Sequence, residues 1–415
     1  MRLSHDTVTF ALHHVPVIGN TETGVIVGLT GSGAALCEAM ATHDVPEESV
    51  PDDCAGLVAY MKQHGFIEGA ERDNDASVDR VQLHSAYLHV TNRCNLSCVG
   101  CYSMNEGRNR DGDPTFDQLA HAINILAKLG AERLVVSGGE PFVRDDLPEL
   151  MAHAKQAGVA TVVVLTNGTL CTDERIALLA GKVDTISLSF DGPSQQSPSH
   201  IRGKQLFNQL LGAVKRIQNA GIQAHILPTI HAKNIDDVLA YLELGKGLDA
   251  TVGFSLLSGA CGALGGLAPS DDDLVHLAEV MQAVGTTADV DSVFPDGTQP
   301  TLHACNHCGA GRTGVSVAAD GLVYPCHMLH HAPFCLGNVF EDSVDKLRDS
   351  LAQFALPAVD ELGGCKDCDI RYLCGGGCRA RAYLECGRVD CRDPYCAYNK
   401  LTIEDTVSSM LAAME

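Results

Sequence analysis

The sequence predicts an α/β protein: a partial (β/α)6 barrel, preceded by a small domain and followed by a cysteine-rich one. Three observations carry this. Between residues 82 and 262, six short β-branched runs alternate with helical stretches, and that alternation is the mark of parallel βα units. Eleven of the 18 cysteines fall between Cys305 and Cys396, and three more between Cys94 and Cys101. A polar stretch at 71–80 divides residues 1–75 from the barrel zone and reads as a linker.

The first zone begins with a strand-like run at 7–12 and a second apolar run at 24–29 after a Thr-Glu-Thr-Gly turn. Helical patterns come next, near 33–40 and 54–64. In the barrel zone the expected strands are 86–90, 133–137, 161–165, 185–190, 222–229 and 251–257. The expected helices are 115–129, 147–156, 173–179, 205–220 and 235–244. The first of these carries Leu119, Ile123, Leu126 and Leu129 at helical spacing and stops at Gly130. Residues 263–300 are expected as a connection with one helix at 272–284. Residues 301–415 are dense in Cys and Gly and poor in long periodic segments. Such a region buries little apolar surface and needs metal to hold it.

Charge and composition exclude several functions. Asp and Glu total 52 against 29 Lys and Arg, a formal net charge of −23. Nucleic-acid binding draws on clustered Lys and Arg, so no nucleic acid is expected as a partner. No stretch approaches the ~20 apolar residues of a membrane helix, and the first 20 residues make a poor signal peptide. No membrane association is expected, and the reading is cytoplasmic. Thiols stay reduced there, so 18 cysteines point to metal or redox chemistry rather than disulfides.

The segment Val90-Thr-Asn-Arg-Cys94-Asn-Leu-Ser-Cys98-Val-Gly-Cys101-Tyr102 comes directly after the first barrel strand. Soft thiolates at this spacing suit iron–sulfur or zinc. Three ligands from one loop leave an open metal position, which separates a reactive centre from a structural one. The Ser137-Gly138-Gly139-Glu140-Pro141 turn ends the second strand, Thr166-Asn167-Gly168 the third, and Ser189-Phe-Asp191-Gly192 the fourth, leading to His200-Ile-Arg202-Gly203.

Together these motifs resemble the radical S-adenosylmethionine (radical SAM) superfamily. The resemblance implies a radical SAM barrel in which Cys94, Cys98 and Cys101 hold a [4Fe-4S] cluster and are catalytic. The open iron would chelate S-adenosylmethionine, and reductive cleavage would release a 5′-deoxyadenosyl radical that abstracts a substrate hydrogen. It further implies that Gly138, Gly139 and Glu140 meet the methionine amino group and that Asn167 lies at the cofactor. Ser189 would contact the ribose or methionine part, Arg202 the carboxylate, and Tyr102 would sit near the adenine. The family has His three residues before the Arg; His200 stands two before Arg202 and receives no role.

Cys365-x2-Cys368-x5-Cys374-x3-Cys378 is preceded by Cys305-x2-Cys308 and Gly321-x4-Cys326, and succeeded by Cys386, Cys391 and Cys396. This order resembles the SPASM domain, which binds two auxiliary four-iron clusters. By position, Cys305, Cys308, Cys326 and Cys378 would hold the nearer cluster, and Cys365, Cys368, Cys374 and Cys396 the outer one. Three [4Fe-4S] clusters are therefore implied in all. Cys335, Cys386 and Cys391 are left over as spare or small buried thiols, with Cys386 or Cys391 able to replace Cys396. Zinc at the outer site stays open.

Residues 1–75 resemble the winged-helix-like recognition element that grips the leader of a ribosomally made precursor peptide, on Glu22-Thr-Gly-Val-Ile-Val-Gly-Leu-Thr30 and the helical pattern ending at Gly65-Phe66-Ile67. The whole then resembles a radical SAM/SPASM peptide maturase that forms a thioether or other cross-link after Cα or Cβ hydrogen abstraction. Its expected partners are a precursor peptide and a low-potential donor such as flavodoxin or ferredoxin. The alternatives are an anaerobic sulfatase-maturase-like enzyme, a small-molecule SPASM enzyme of haem-biosynthesis type, or a non-catalytic zinc or iron–sulfur protein.

Overall fold

The computed structural model describes residues 1–70, 83–259, 264–283 and 302–412. The expected linker at 71–80, residues 263 and 284–300 of the expected connection, and Cys261 lie outside the described residues, while the helix expected at 272–284 is present at Asp271–Ala283. The chain divides into two compact units. One comprises Met1–Ser77, Pro300–Cys308 and Leu356–Glu415; the other comprises Val78–Gln299 and Gly309–Ala355. The sequence reading kept residues 301–415 together, whereas the contacts assign 309–355 to the larger unit.

In the smaller unit, β1 (Thr7–Leu12), β2 (Val15–Asn20) and β3 (Ile26–Gly28) form an antiparallel sheet in that order. The strand β2 was not expected from the sequence. Its Pro16 and Gly19 break the β pattern, and it forms because Ile18 is buried against the helices Gly31–Thr42 and Ala55–Gln63. Leu36, Met40, Met61 and Phe66 complete that core. The other side of the sheet is also used: Val8 and Phe10 pack against Val359, Leu362, Cys365 and Tyr372.

In the larger unit the alternation folds as expected into a parallel sheet. It contains β4 (Ser85–His89), β5 (Arg133–Ser137), β6 (Thr161–Thr166), β7 (Thr185–Leu188), β8 (Gln223–Ile226) and β10 (Thr251–Val252), each hydrogen-bonded to the next. Helices such as Phe116–Lys128 cover one face. Thr115 caps that helix, its Oγ1 accepting from Gln118 N at 3.2 Å while Gln118 Oε1 accepts from Thr115 N at 2.9 Å. Leu119, Ile123 and Leu126 on its inner stripe are buried.

Two expected strands are each split in two. Pro228 has no N–H to give and separates β8 from β9 (Thr229–Ile230). The run at 251–257 breaks at Gly253-Phe254 into β10 and β11 (Ser255–Leu256), and β11 pairs with β9 as a separate two-stranded piece. On the far side, β12 (Gly314–Val317) joins β4 in parallel, and β13 (Leu322–Tyr324) and β14 (Gly337–Asn338) extend the sheet antiparallel. These three short strands lie in the region read as poor in regular structure. Among the described residues, no helix is long and apolar enough to cross a membrane.

Ile123 is fully buried, so Ile123→Ala leaves a cavity under the barrel sheet. Urea denaturation should show a loss of about 2–5 kcal/mol. Leu178, 51% exposed, should cost no more than ~0.5 kcal/mol when changed to Ala.

Candidate iron–sulfur and S-adenosylmethionine site

The cysteine loop is tied down by backbone hydrogen bonds and, at Cys98, by packing on Ile201, Leu257 and Leu264. Val90 N donates to Ser137 O at 3.0 Å, Gly139 N to Thr91 O at 2.8 Å, and Glu140 N to Arg93 O at 2.8 Å. The loop thus runs against the Gly138–Gly139 turn. A Cβ at Gly138 would strike Thr91 O, and one at Gly139 would strike Arg93 O, both well inside contact distance. Gly138 also has φ +122°, a conformation that favours glycine. Within the loop, Asn109 Oδ1 accepts from Cys94 N at 2.7 Å, and Asp113 accepts from Thr91 Oγ1 at 2.6 Å and from Arg93 Nε at 2.7 Å. Val99 N donates to Ile201 O at 2.9 Å, which brings the Cys98–Cys101 turn to the segment carrying Arg202.

Cys94, Cys98 and Cys101 are all partly exposed free thiols. Burial pushes the Cys98 thiol up to about 11, with Arg202 opposing and Cys101 and Cys94 reinforcing the rise. The Cys94 thiol is raised for the same first reason. Ser103 Oγ lies 3.5 Å from Cys101 Sγ and donates to Gly138 O at 2.7 Å. Among the described residues, no three His, Cys, Asp or Glu side chains converge on a single ion.

Glu140 is 1% exposed. Its Oε1 accepts from Thr166 Oγ1 at 2.7 Å and from Phe142 N at 3.1 Å, and its Oε2 accepts from Asn167 N at 2.8 Å. Burial raises its pKa, and these bonds together with Arg202 oppose the rise. A carboxylate offers about four acceptor sites, so an ammonium can still be received there. Asn167 Nδ2 donates to Asn95 Oδ1 at 2.9 Å, which joins the third strand's turn to the cysteine loop. Ser189 N donates to Thr166 O at 3.1 Å just beyond the end of β7.

Arg202 is buried, with Nη1 3.4 Å from Asp191 Oδ1 and its Nε without a hydrogen-bond partner. Asp191 Oδ2 also accepts from Ile201 N at 3.1 Å and Arg202 N at 2.8 Å, so this carboxylate shapes the whole 199–202 turn. Tyr102 is 41% exposed, yet its hydroxyl reaches Ser137 Oγ. The sequence reading gave no role to Asp191 or to Arg108, whose Nη2 donates to Ser103 Oγ at 2.8 Å beside Cys101. Asp191 could have been found from its place in the Ser-x-Asp-Gly turn; Arg108 carries no pattern. The donor set fits S-adenosylmethionine on a cluster: three thiols, a buried carboxylate, a glycine turn, and a buried guanidinium with an unused N–H.

In the smaller unit, Cys365, Cys368, Cys374 and Cys396 line one pocket. Burial pushes Cys374 up to about 12, reinforced by Asp393 and by Cys396, Cys305 and Cys365. Asp393 organises this pocket. It accepts from Cys378 N at 2.7 Å, Tyr395 N at 3.0 Å and Asn399 Nδ2 at 3.1 Å, and pairs with Arg381 through two nitrogens at 3.0 and 2.9 Å. Burial alone would raise the Asp393 pKa, but Arg381 and these bonds outweigh it and hold the carboxyl low. Cys305 N donates to Tyr372 O at 2.8 Å, and Cys308 and Cys378 lie in the same unit. Cys326 belongs to the larger unit. Cys386 and Cys391 are neither spare thiols nor replacements for Cys396: they form a disulfide, with Cα atoms 6.8 Å apart. Arg379 donates to Cys391 O at 2.8 Å and Val389 O at 3.0 Å, which holds the intervening loop in position for the bond. Cys335 is exposed, and Cys37, Cys54 and Cys171 are buried.

Known proteins resemble the chain in family and in fold. The radical SAM superfamily profile matches residues 88–245, and the SPASM iron-sulfur cluster-binding domain matches 308–369. An AdoMet-dependent heme synthase of Methanosarcina barkeri is 29% identical over 339 residues, covering 74% of this chain and 95% of the relative. Native anSMEcpe with bound AdoMet shares the fold at TM-score 0.63 and 18% identity, over 80% of this chain and all of that one. SuiB of Streptococcus suis, bound to precursor peptide SuiA, does so at TM-score 0.57 and 14% identity, over 94% of this chain and 98% of that one. The matched domains, the parallel barrel and the thiol-bearing loop identify the chain as a radical SAM superfamily enzyme with a SPASM domain.

Proposed function

We propose that this enzyme modifies a ribosomally synthesised peptide, forming a thioether or other cross-link at a Cα or Cβ position. The observation that carries the reading is the antiparallel β1–β2–β3 sheet with its two helices ahead of the barrel. The strand β3 is at the sheet edge, paired with β2 alone, and an extended leader can add to such an edge through backbone hydrogen bonds. SuiB, whose fold covers this chain almost end to end, is named as bound to a precursor peptide. A second reading, a small-molecule enzyme of haem-biosynthesis type, is supported by the heme synthase relative and its coverage.

When bound, S-adenosylmethionine on its cluster supplies a carbon radical that removes a hydrogen atom from the substrate. The chain's own residues have four tasks. Cys94, Cys98 and Cys101 would hold the cluster. Glu140 receives an ammonium, and the bare backbone of Gly138–Gly139 lets it approach. Arg202, steadied by Asp191, directs its unused N–H at a carboxylate, while Tyr102, Asn167 and Ser189 border the rest of the cofactor. Cys365, Cys368, Cys374 and Cys396 hold an outer auxiliary cluster, and Cys305 and Cys308 head a further set. Three [4Fe-4S] clusters and an external low-potential donor complete the proposal.

Three outcomes are expected. Alanine at Cys94, Cys98 and Cys101 together should remove about four irons per chain and abolish 5′-deoxyadenosine formation with dithionite; unchanged iron and turnover would refute the assignment. Asp393→Asn deletes the charge facing Arg381 and should cost about 3–5 kcal/mol, with loss of the outer cluster's iron on anaerobic reconstitution. Gly28→Pro at the sheet edge, where an added Cβ meets nothing within 4 Å, should weaken binding of a leader encoded beside the gene at full cluster content. Unchanged leader binding would favour the small-molecule reading.

A further inference from the structure

The barrel sheet has one face packed on helices and one turned inward. Tyr87, Val135 and Val163 pack together with Leu165 and Leu227, which fixes the inward face. Side chains alternate along a strand, so His89, Ser137, Ser187 and His225 point the same way. Register places these at one level: His89 pairs with Ser137, Leu165 with Ser187, Ser187 with His225, and His225 with Thr251. Ser137 and Leu165 each stand one residue beyond the paired Val136 and Val164. The inward face therefore carries a nearly continuous polar row just above an apolar floor.

Barrel interiors are ordinarily filled by bulky apolar layers, so a buried polar row needs an explanation. Ser137 Oγ meets the Tyr102 hydroxyl, and His225 Nδ1 lies 2.9 Å from Thr251 Oγ1. Two atoms have no such answer. His89 Nε2 and Ser187 Oγ are buried without a hydrogen-bond partner, in residues only 5% and 1% exposed. An unpaired buried polar atom is expensive, and two in one row indicate an occupant that supplies the missing partners.

The row's chemistry limits that occupant. It contains no Lys, Arg, Asp or Glu. His89 packs 5.9 Å from the Tyr102 ring and 4.8 Å from His330. Burial first, then His330, His327 and Arg108, hold its pKa well below the ordinary value, so it stays a neutral imidazole. The unpartnered imidazole nitrogen donates or accepts one bond according to its tautomer, and a hydroxyl donates one and also accepts. Neither neutralises a carboxylate, but both suit an uncharged group with a donor and an acceptor side by side. The row also lies one inward position deeper than Ser189 on the fourth strand, on the floor side of the cofactor residues.

We propose that His89 and Ser187 form a substrate subsite that hydrogen-bonds an amide, holding the adjoining C–H toward the cysteine loop. This rests on the peptide-substrate reading and specifies which group of the peptide enters the barrel.

The probe is N-acetyl-alanine methylamide, compared with its methyl ester, which lacks one N–H, and with N-acetyl-alanine, which carries a carboxylate. Binding to the reconstituted full-length enzyme with S-adenosylmethionine is read from paramagnetic broadening of the probe's methyl resonances by the reduced cluster. The wild type should prefer the amide by roughly tenfold over either analogue. Ser187→Ala, which removes one oxygen, and His89→Phe, which keeps a ring, should each collapse that preference while the ester binds as before. The proposal is overturned if the wild type binds all three probes alike, or if the preference survives in both variants. Loss of leader capture with the amide preference intact would instead support the subsite and overturn the peptide-maturation reading.

Discussion

The site depends on one close approach of backbone to backbone. Three thiols must be held on a loop whose apolar anchors are Leu96, which is buried, and Cys98, which packs on Ile201, Leu257 and Leu264. The loop is fixed because Thr91 O and Arg93 O accept from Gly139 N and Glu140 N across the Gly138–Gly139 turn. No side chain larger than hydrogen fits at either glycine. The same contact sets the position of Glu140, whose backbone N–H is one of the two donors and whose carboxylate is then buried against Thr166 and Asn167. This pair of hydrogen bonds thus sets the glycine turn and the carboxylate against the thiol loop, which Asn109, Asn167 and Ile201 hold further along. The parallel sheet supports it by fixing where β4 and β5 end.

The two units are stabilised differently. In the larger, the strands are near-continuous apolar runs, with Val136, Val164, Ile186 and Leu188 among the fully enclosed residues. Each such side chain contributes about 1.5–3 kcal/mol by leaving water. In the smaller unit, the segment from 362 to 399 has few comparable side chains. Its order comes from Asp393 bridging Cys378, Arg381, Tyr395 and Asn399, from Arg379 gripping three carbonyls, and from the Cys386–Cys391 bond. Phe10 and Val8 from β1 lend this segment apolar cover. The N-terminal sheet therefore has a structural task alongside any part in leader binding: its two faces are taken by packing, and the edge strand β3 is left for a leader.

Much of this was legible in the residues. The barrel's alternation, the capped helix at 116–128 and the cysteine spacings all depend on local patterns that a single sequence displays. What stayed hidden depends on long-range pairing. β2 contains Pro16 and Gly19 and is a strand only because its neighbours supply partners. The strands at 314–338 are too short to show a period and form by adding to the edge of β4. Pro228 could have been read as dividing its strand, since the missing N–H is local. The Cys386–Cys391 bond was missed because a metal-based reading of the cysteines leaves no reason to pair two of them. His89 and Ser187 carry no motif; they become notable only when register sets them level and burial leaves them unpartnered.

On the proposed assignment, Cys94, Cys98 and Cys101 hold a cubane with one iron left for an exogenous ligand. Electron paramagnetic resonance of the anaerobically reconstituted, dithionite-reduced enzyme tests it most directly. Adding S-adenosylmethionine labelled with 15N at the methionine amino group should shift the g-values of one cluster, and nitrogen hyperfine coupling should appear on that signal. A spectrum unaltered by the addition, with no nitrogen coupling on any cluster, would contradict the claim.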